Sequence, residues 1–431
     1  MHSSLLNQNV VVFCSLIAAC LSTFIVTRLR KKWYGVRGLD LLIAGVVLSF
    51  GVEGLTHLEY PSDSLPTLFW LMVLPFPLSG ALIAATWKNK RFWLKYLAIG
   101  NALFCLLFSL ILMNGYYNYF PTVGSVFNEE VTNVTSATLL HTKADSLAKN
   151  ATIEGSLYDK SIPLNGAVKS INIPGVLSKF KPRGAYVYIP PIALQPINIR
   201  LPVIVLSAGY PGQPDNWIGS GLQTTVDQFA ALHHGVAPYV FMVDNTGSVT
   251  NDTECVNSPR GNLETYLTTD VPNYIKAHYN VATSSAGWAV GGLSMGGMCS
   301  MMLALRHPGV YNSFIDLGGE VGPEVGSVQT TTNLLFHGSE QDWAAHQPLL
   351  LMAKNKYSGM NAFFADGNGD GISILNGLKT AYNAAKAAGI NSVYEEVNGG
   401  HTFMVWQETF KNSLPWISNR LGATECSAAC Q

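Results

Sequence analysis

The sequence predicts an α/β domain, a mainly parallel sheet flanked by helices, preceded by an all-α region of four membrane-spanning helices. Two observations carry this expectation. Hydrophobic residues make up 48% of the 431 positions and charged residues only 12%, a balance that points to part of the chain lying in lipid. From about residue 166 to 422, short β-branched runs alternate with helical stretches, as strands covered by helices do.

The N-terminal region, 1–113, holds four apolar stretches: Val10 to Thr27, Leu39 to Leu55, Leu65 to Ala85 and Trp93 to Met113. Each approaches the roughly 20 helical residues that a bilayer core requires. Lys and Arg cluster at Arg28, Arg30, Lys31, Lys32 and Arg37, and again at Lys88, Lys90, Arg91 and Lys95. The segment between the second and third stretches carries Glu59 and Asp63 instead. Cytoplasmic loops are the basic ones, so this alternation predicts a multi-pass cytoplasmic-membrane protein with both ends of the four-span region outside. Ile17-Ala18-Ala19-Cys20 has the look of a lipoprotein processing site, but no basic run precedes it and the apolar run continues beyond it, which favours an uncleaved helix. Glu53 and His57 are spaced to share a helix face, and Pro75 and Pro77 should kink the third helix.

Residues 114–165 turn to Asn, Thr, Ser, Ala and Gly without an apolar period and read as linker and lead-in. Residues 166–422 form the α/β domain, and 423–431 a short tail. Strands are expected at Val168–Ile173, Gly184–Ile189, Pro202–Ser207, Tyr239–Asp244, Gly287–Gly291, Ser313–Leu317, Asn361–Ala365 and Ser392–Val397. The clearest helices are Leu263–His278, Met295–Arg306, Ile372–Ala388 and Thr402–Leu421.

The chemistry falls at the expected strand ends. Gly292-Leu293-Ser294-Met295-Gly296 follows a strand and opens a helix, the context of a G-x-S-x-G nucleophile elbow. Ser294 is then the nucleophile, with the Met295 N–H placed for an oxyanion at the helix N-terminus. A second donor is expected from Ser207-Ala208-Gly209-Tyr210-Pro211-Gly212, at the Tyr210 N–H. Of the ten histidines, His401 follows a strand through Asn398-Gly399-Gly400, a turn that holds an imidazole at the strand-end face. The other histidines fall in the membrane part, the linker, helices or, for His337 and His346, an irregular segment. The acid should lie between Ser294 and His401. Asp370 in Asp366-Gly367-Asn368-Gly369-Asp370 is the choice, with Asp366 and Asp342 as alternatives.

The region from about Val168 to Leu421 resembles the putative-esterase branch of the α/β-hydrolases, which includes esterase D and the mycobacterial mycolyltransferases of the antigen 85 complex. Leu293-Ser294-Met295, the run Gly261-Asn262-Leu263-Glu264-Thr265-Tyr266-Leu267-Thr268-Thr269-Asp270-Val271-Pro272, and Gly399-Gly400-His401 carry the resemblance. It implies the α/β-hydrolase fold, a Ser, acid and His triad, and acyl-ester chemistry without a cofactor. Mycolyltransferases use Glu where this chain offers Asp, and their trehalose-binding residues have no counterpart here. The classical secreted enzymes also lack a four-helix anchor.

The substrate expected is an acyl ester, with lipid or glycolipid of the cell envelope foremost, and the bilayer is the other partner. A formal net charge of −1 gives no basic field for nucleic acid. A catalytically silent binding module is the competing reading, and the presence of both Ser294 and His401 argues against it. No spacing among the seven cysteines resembles a zinc site. Cys255 and Cys299 are placed to meet above the strand ends as a disulfide, and Cys426 with Cys430 is a weaker pair. Asp366 to Gly371 also matches the opening of a calcium-binding loop, D-x-N-x-D-G, but Gly377 stands where that loop needs Glu, so no metal is expected.

Overall fold

The computed structural model describes residues 91–117, 162–195, 199–248 and 251–423, with scattered positions before residue 91. Two compact units divide the chain, Met1–Asn128 and Glu129–Gln431. In the first, helix α1 (Phe92–Tyr117) contains the apolar segment Phe92–Asn114, long and apolar enough to cross a membrane. All but scattered positions of the three earlier apolar stretches, and Glu53, His57, Pro75, Pro77, Cys20 and the Cys426 and Cys430 pair, lie outside the described residues.

The second unit is built on one eight-stranded sheet. Its strands are β1 (Ala167–Ile171), β2 (Ala185–Ile189), β3 (Val203–Ser207), β4 (Tyr239–Val243), β5 (Trp288–Leu293), β6 (Ser313–Leu317), β7 (Asn361–Gly367) and β8 (Asn391–Val397). They lie in the order β1-β2-β4-β3-β5-β6-β7-β8. β1 and β2 form an antiparallel pair, β2 lies antiparallel to β4, and every pairing from β4 to β8 is parallel. Each of the eight strands expected from the sequence is present within a few residues of its expected bounds. Every residue of β3, β4, β5 and β6 is buried, as near-continuous apolar strands must be when helices cover both faces.

Helix α2 (Leu222–Leu232) buries Leu222, Thr225, Val226, Phe229 and Ala230, a single stripe at helical spacing. The helical run expected from Leu263 to His278 is present with those bounds but changes its hydrogen-bond pattern inside them. Residues Leu263–Thr265 are α-helical, Tyr266–Asp270 form a π-helical turn, and α3 (Val271–His278) follows. Pro272 has no N–H to continue an α ladder back to Thr268, whose hydroxyl bonds Glu264 O at 2.6 Å. Helix α4 (Met295–Arg306) is buried from Met295 to Leu305.

The segment read as irregular around His337 and His346 forms three short helices instead: α5 (Val328–Leu335), α6 (Glu340–Ala345) and α7 (Pro348–Lys354). The Ser327 side chain caps α5 by accepting from Thr330 N, Ser339 caps α6 by accepting from Asp342 N, and Pro348 opens α7. Their start signals were in the sequence, but elements of six to eight residues carry too little period to stand out. Helices α8 (Ile372–Ala387) and α9 (Phe403–Arg420) complete the unit. Because six strands run parallel, their carboxyl ends share one edge, and the loops there hold the residues of interest.

Candidate active site

Ser294 stands between β5 and α4 with φ 53° and ψ −128°, a strained conformation for a residue with a Cβ. Of order 1–3 kcal/mol is stored in such a residue, and surrounding bonds must hold it. Ser294 N donates to Leu317 O at 2.9 Å, while Ser294 O accepts from Gly297 N at 2.7 Å and Met298 N at 3.2 Å. The turn is possible because its neighbours have no Cβ. A Cβ on Gly292 would collide with the Gly296 backbone, and one on Gly296 would lie 2.6 Å from both Ser207 O and Ala208 O.

His401 lies between β8 and α9, and Asp370 between β7 and α8. Parallel pairing of β7 with β8 sets these two loops side by side, and Gly369 N donates to Gly399 O at 2.7 Å. His401 Nδ1 meets Asp370 Oδ2 at 2.6 Å, and His401 Nε2 meets Ser294 Oγ at 3.0 Å. Asp370 accepts only, so Nδ1 carries a proton, which leaves Nε2 of a neutral ring to accept from the Ser294 hydroxyl. The Asp370 side chain is 5% exposed against 31% for His401, so the acid is screened while the imidazole edge stays accessible. The indole of Trp406, on the second turn of α9, packs edge-on against His401 with ring centroids 4.8 Å apart.

Burial by itself would raise the Asp370 pKa. The hydrogen bond and charge of His401, together with the Gly371 N–H, outweigh it and hold this carboxyl below its usual range. Asp366, 1% exposed at the end of β7, is the reverse case: burial and the adjacent Asp370 push it up to about 8. Its Oδ1 accepts from Gly367 N at 2.8 Å. Asp342, the other alternative acid, is exposed on α6, where its carbonyl meets His346 Nδ1 at 2.7 Å. The run that matched a calcium loop is therefore part strand and part His401 partner. Among the described residues, no group of three or more His, Cys, Asp or Glu side chains is arranged to hold a metal ion.

Met295 opens α4, where the first N–H groups have no partner within the helix. The loop after β3 passes close by: a Cβ on Gly209 would lie 3.0 Å from Ser294 Cβ. Tyr210 follows in this loop, before a cis bond to Pro211. Arg183 fixes the far end of the loop, a role with no signal in the sequence. Its Nη2 donates to Gly212 O at 2.8 Å and to Asp244 Oδ1 at 2.6 Å, and its Nε to Asp244 Oδ2 at 3.1 Å. Cys255 and Cys299 form a disulfide, with Cα atoms 5.7 Å apart, that ties the loop before residue 263 to the elbow helix.

The model of the Putative esterase family matches residues 181–417. Over 430 residues, 96% of each chain, this protein is 32% identical to an uncharacterized protein of Corynebacterium glutamicum. It is 28% identical over 192 residues to the diacylglycerol acyltransferase/mycolyltransferase Ag85A of Mycobacterium ulcerans, covering 37% of this chain and 56% of that one. That match spans little more than half of the relative. Among solved structures, a ferulic acid esterase superposes with a TM-score of 0.52 at 17% identity, over 59% of this chain and 99% of that one. An S-formylglutathione hydrolase from Agrobacterium tumefaciens gives 0.51 at 18%, over 60% and 97%. At these identities the superpositions speak for the fold, a parallel sheet flanked by helices as in α/β-hydrolases. With more than half of its length matched by the family model, the chain belongs to the Putative esterase family, enzymes of ester hydrolysis or acyl transfer.

Proposed function

We propose that this protein is a membrane-anchored serine esterase or acyltransferase that works outside the cytoplasmic membrane, on acyl esters of lipids or glycolipids, through Ser294, His401 and Asp370. The observation that carries this reading is the unbroken chain of contacts from Asp370 Oδ2 to His401 Nδ1 and from His401 Nε2 to Ser294 Oγ. His401 takes the Ser294 proton as Oγ attacks the ester carbonyl, and Asp370 holds the tautomer and steadies the imidazolium that forms. The tetrahedral oxyanion is met by the N–H groups of Met295 and Tyr210. His401 then gives its proton to the departing alkoxide, leaving an acyl group on Ser294. Water or an alcohol, deprotonated by His401, releases that group in the second half.

Transfer to an alcohol, instead of to water, is favoured by the relative named a diacylglycerol acyltransferase/mycolyltransferase. The extracytoplasmic placement draws support from the Cys255–Cys299 disulfide, since such bonds persist in oxidising compartments. A serine-directed fluorophosphonate, applied to wild type, Ser294→Ala and His401→Ala, tests the assignment. Labelling should vanish in Ser294→Ala and slow by at least about a thousandfold in His401→Ala. Equal labelling of wild type and Ser294→Ala would refute it. Turnover of long-chain acyl esters with and without sugar or glyceride acceptors then separates transfer from hydrolysis.

A further inference from the structure

The connection between β1 and β2 folds into a turn whose tip, Val176 and Leu177, is 59% and 60% exposed. Single exposed apolar side chains are ordinary, but this pair adjoins, at a fixed tip, among positive charges. The buried Asp270 accepts from Leu177 N and Ser178 N at 2.9 Å each, and Asn262 Nδ2 donates to Ser178 O at 2.8 Å. Beneath the tip, Phe180 is buried against Tyr266 with ring centroids 5.0 Å apart. From Gly166 to Gly184 the chain carries Lys169, Lys179, Lys181 and Arg183 and no Asp or Glu. Lys179 and Lys181 follow the tip and are exposed, and Lys179 Nζ donates to Val176 O at 2.7 Å, which holds its charge beside the apolar pair.

Strand register places this turn. Ile171, the last residue of β1, pairs with Ala185, the first of β2, and Ala185 pairs with Val243, the last of β4. The turn therefore stands at the carboxyl edge of the sheet, the edge that holds Ser294, Asp370 and His401. Arg183 ties it there through Gly212 O, in the loop beside Ser294.

We propose that this tip docks the enzyme on an anionic lipid bilayer: Val176 and Leu177 enter the headgroup boundary, Lys179 and Lys181 meet lipid phosphates, and the Ser294 edge is turned toward the lipid. Apolar residues at an interface, rimmed by lysine, are what such a surface binds. Two side chains are far too few for a stable protein interface, which covers about 800 Å² per partner. The same chain also carries a helix long and apolar enough to cross a bilayer. Docking rests on the acyl-ester reading only for its purpose, access to an ester held in lipid.

The test uses the full chain in phosphatidylcholine vesicles with and without phosphatidylglycerol. An environment-sensitive fluorescent amino acid is placed at position 177 or, as control, at 232. Leu232 is 80% exposed but ends α2, which leads to the start of β4, so it belongs to the opposite edge. With phosphatidylglycerol present, position 177 should shift to the blue and be quenched by a lipid-borne quencher while 232 does not respond. Lys179→Gln with Lys181→Gln should cut that quenching several-fold. Leu177→Ser should raise KM for a vesicle-borne ester about tenfold, leaving fluorophosphonate labelling and turnover of a soluble short ester unchanged. Equal responses at 177 and 232, or a response at 177 indifferent to phosphatidylglycerol, would overturn docking. A response without vesicles that follows protein concentration would assign the tip to a second copy and overturn it too. Loss of labelling with quenching intact would strike the assignment of Ser294 and leave docking standing.

Discussion

Asp366 and Asp370 lie four residues apart, yet only Asp370 meets the His401 ring. The sequence offered both because each is an aspartate at or just after the end of β7, between Ser294 and His401. Choosing between them takes the side-chain direction, which spacing does not give: Asp366 still belongs to β7 and is buried, while Asp370 sits past the Gly367-Asn368-Gly369 turn. Their environments then divide the roles. Burial and the neighbouring Asp370 charge push Asp366 up to about 8, which favours its neutral form, while His401 holds Asp370 ionised. An unfolded Asp releases its proton near pH 3.9. Between about pH 4 and 8 the folded chain therefore holds a proton that the unfolded chain has lost, and this group's contribution to stability falls as pH rises through that window. Asp366→Asn, isosteric and without a titrating proton, should remove that slope, on the order of a few kcal/mol over the window, and keep fluorophosphonate labelling at pH 7 within a few-fold. Urea midpoints from pH 5 to 9 measure it, and parallel curves for the two proteins would rule the assignment out.

At the scale of elements, the elbow depends on β5 and α4 approaching the loop after β3 more closely than side chains allow. Gly296 lies in the first turn of α4, where Ala would gain about 1 kcal/mol of helix propensity. Its Cβ would however stand 2.6 Å from two backbone oxygens, Ser207 O and Ala208 O, that cannot turn away as a flexible side chain would. Forced backbone shifts in a packed site cost about 1–3 kcal/mol, so the clash wins. Gly296→Ala should lower the unfolding midpoint and slow labelling of Ser294 at least about a hundredfold, because the displaced loop carries the Tyr210 N–H. A more stable and fully reactive Gly296→Ala protein would show that the approach relaxes easily. The strand–turn–helix around Ser294 was legible because apolar strands, a Gly-rich turn and a long helix each leave a local pattern. The π-helical turn at Tyr266–Asp270 and the helices α5, α6 and α7 were not. The first depends on the missing Pro272 N–H and on Asp270 reaching Leu177 and Ser178, 93 and 92 residues away. The others are too short to show a period.

For the whole molecule, the membrane-anchored reading raises the question of which side of the membrane would hold the Ser294 edge. Charge alternation in residues 1–113 predicts four spans, and among the described residues one helix, at Phe92–Asn114 in α1, is long and apolar enough to be one of them. If the four-span reading is right, reporters fused after Lys32 and Lys90 should act in the cytoplasm, and those fused after Ser62 and Asn128 outside it. The enzyme's own chemistry supplies an independent check. Cys255 and Cys299 are 44 residues apart and bonded, and a bond of this kind persists outside the cytoplasm but is reduced within it. Thiol blocking of intact cells before lysis, followed by reduction and mass tagging, should find both cysteines protected. The two readouts must agree: an outside signal at Asn128 with the pair oxidised. An inside signal at Asn128 with Cys255 and Cys299 reactive would place the enzyme in the cytoplasm, and the lipid presented to Ser294 would then be that of the inner leaflet.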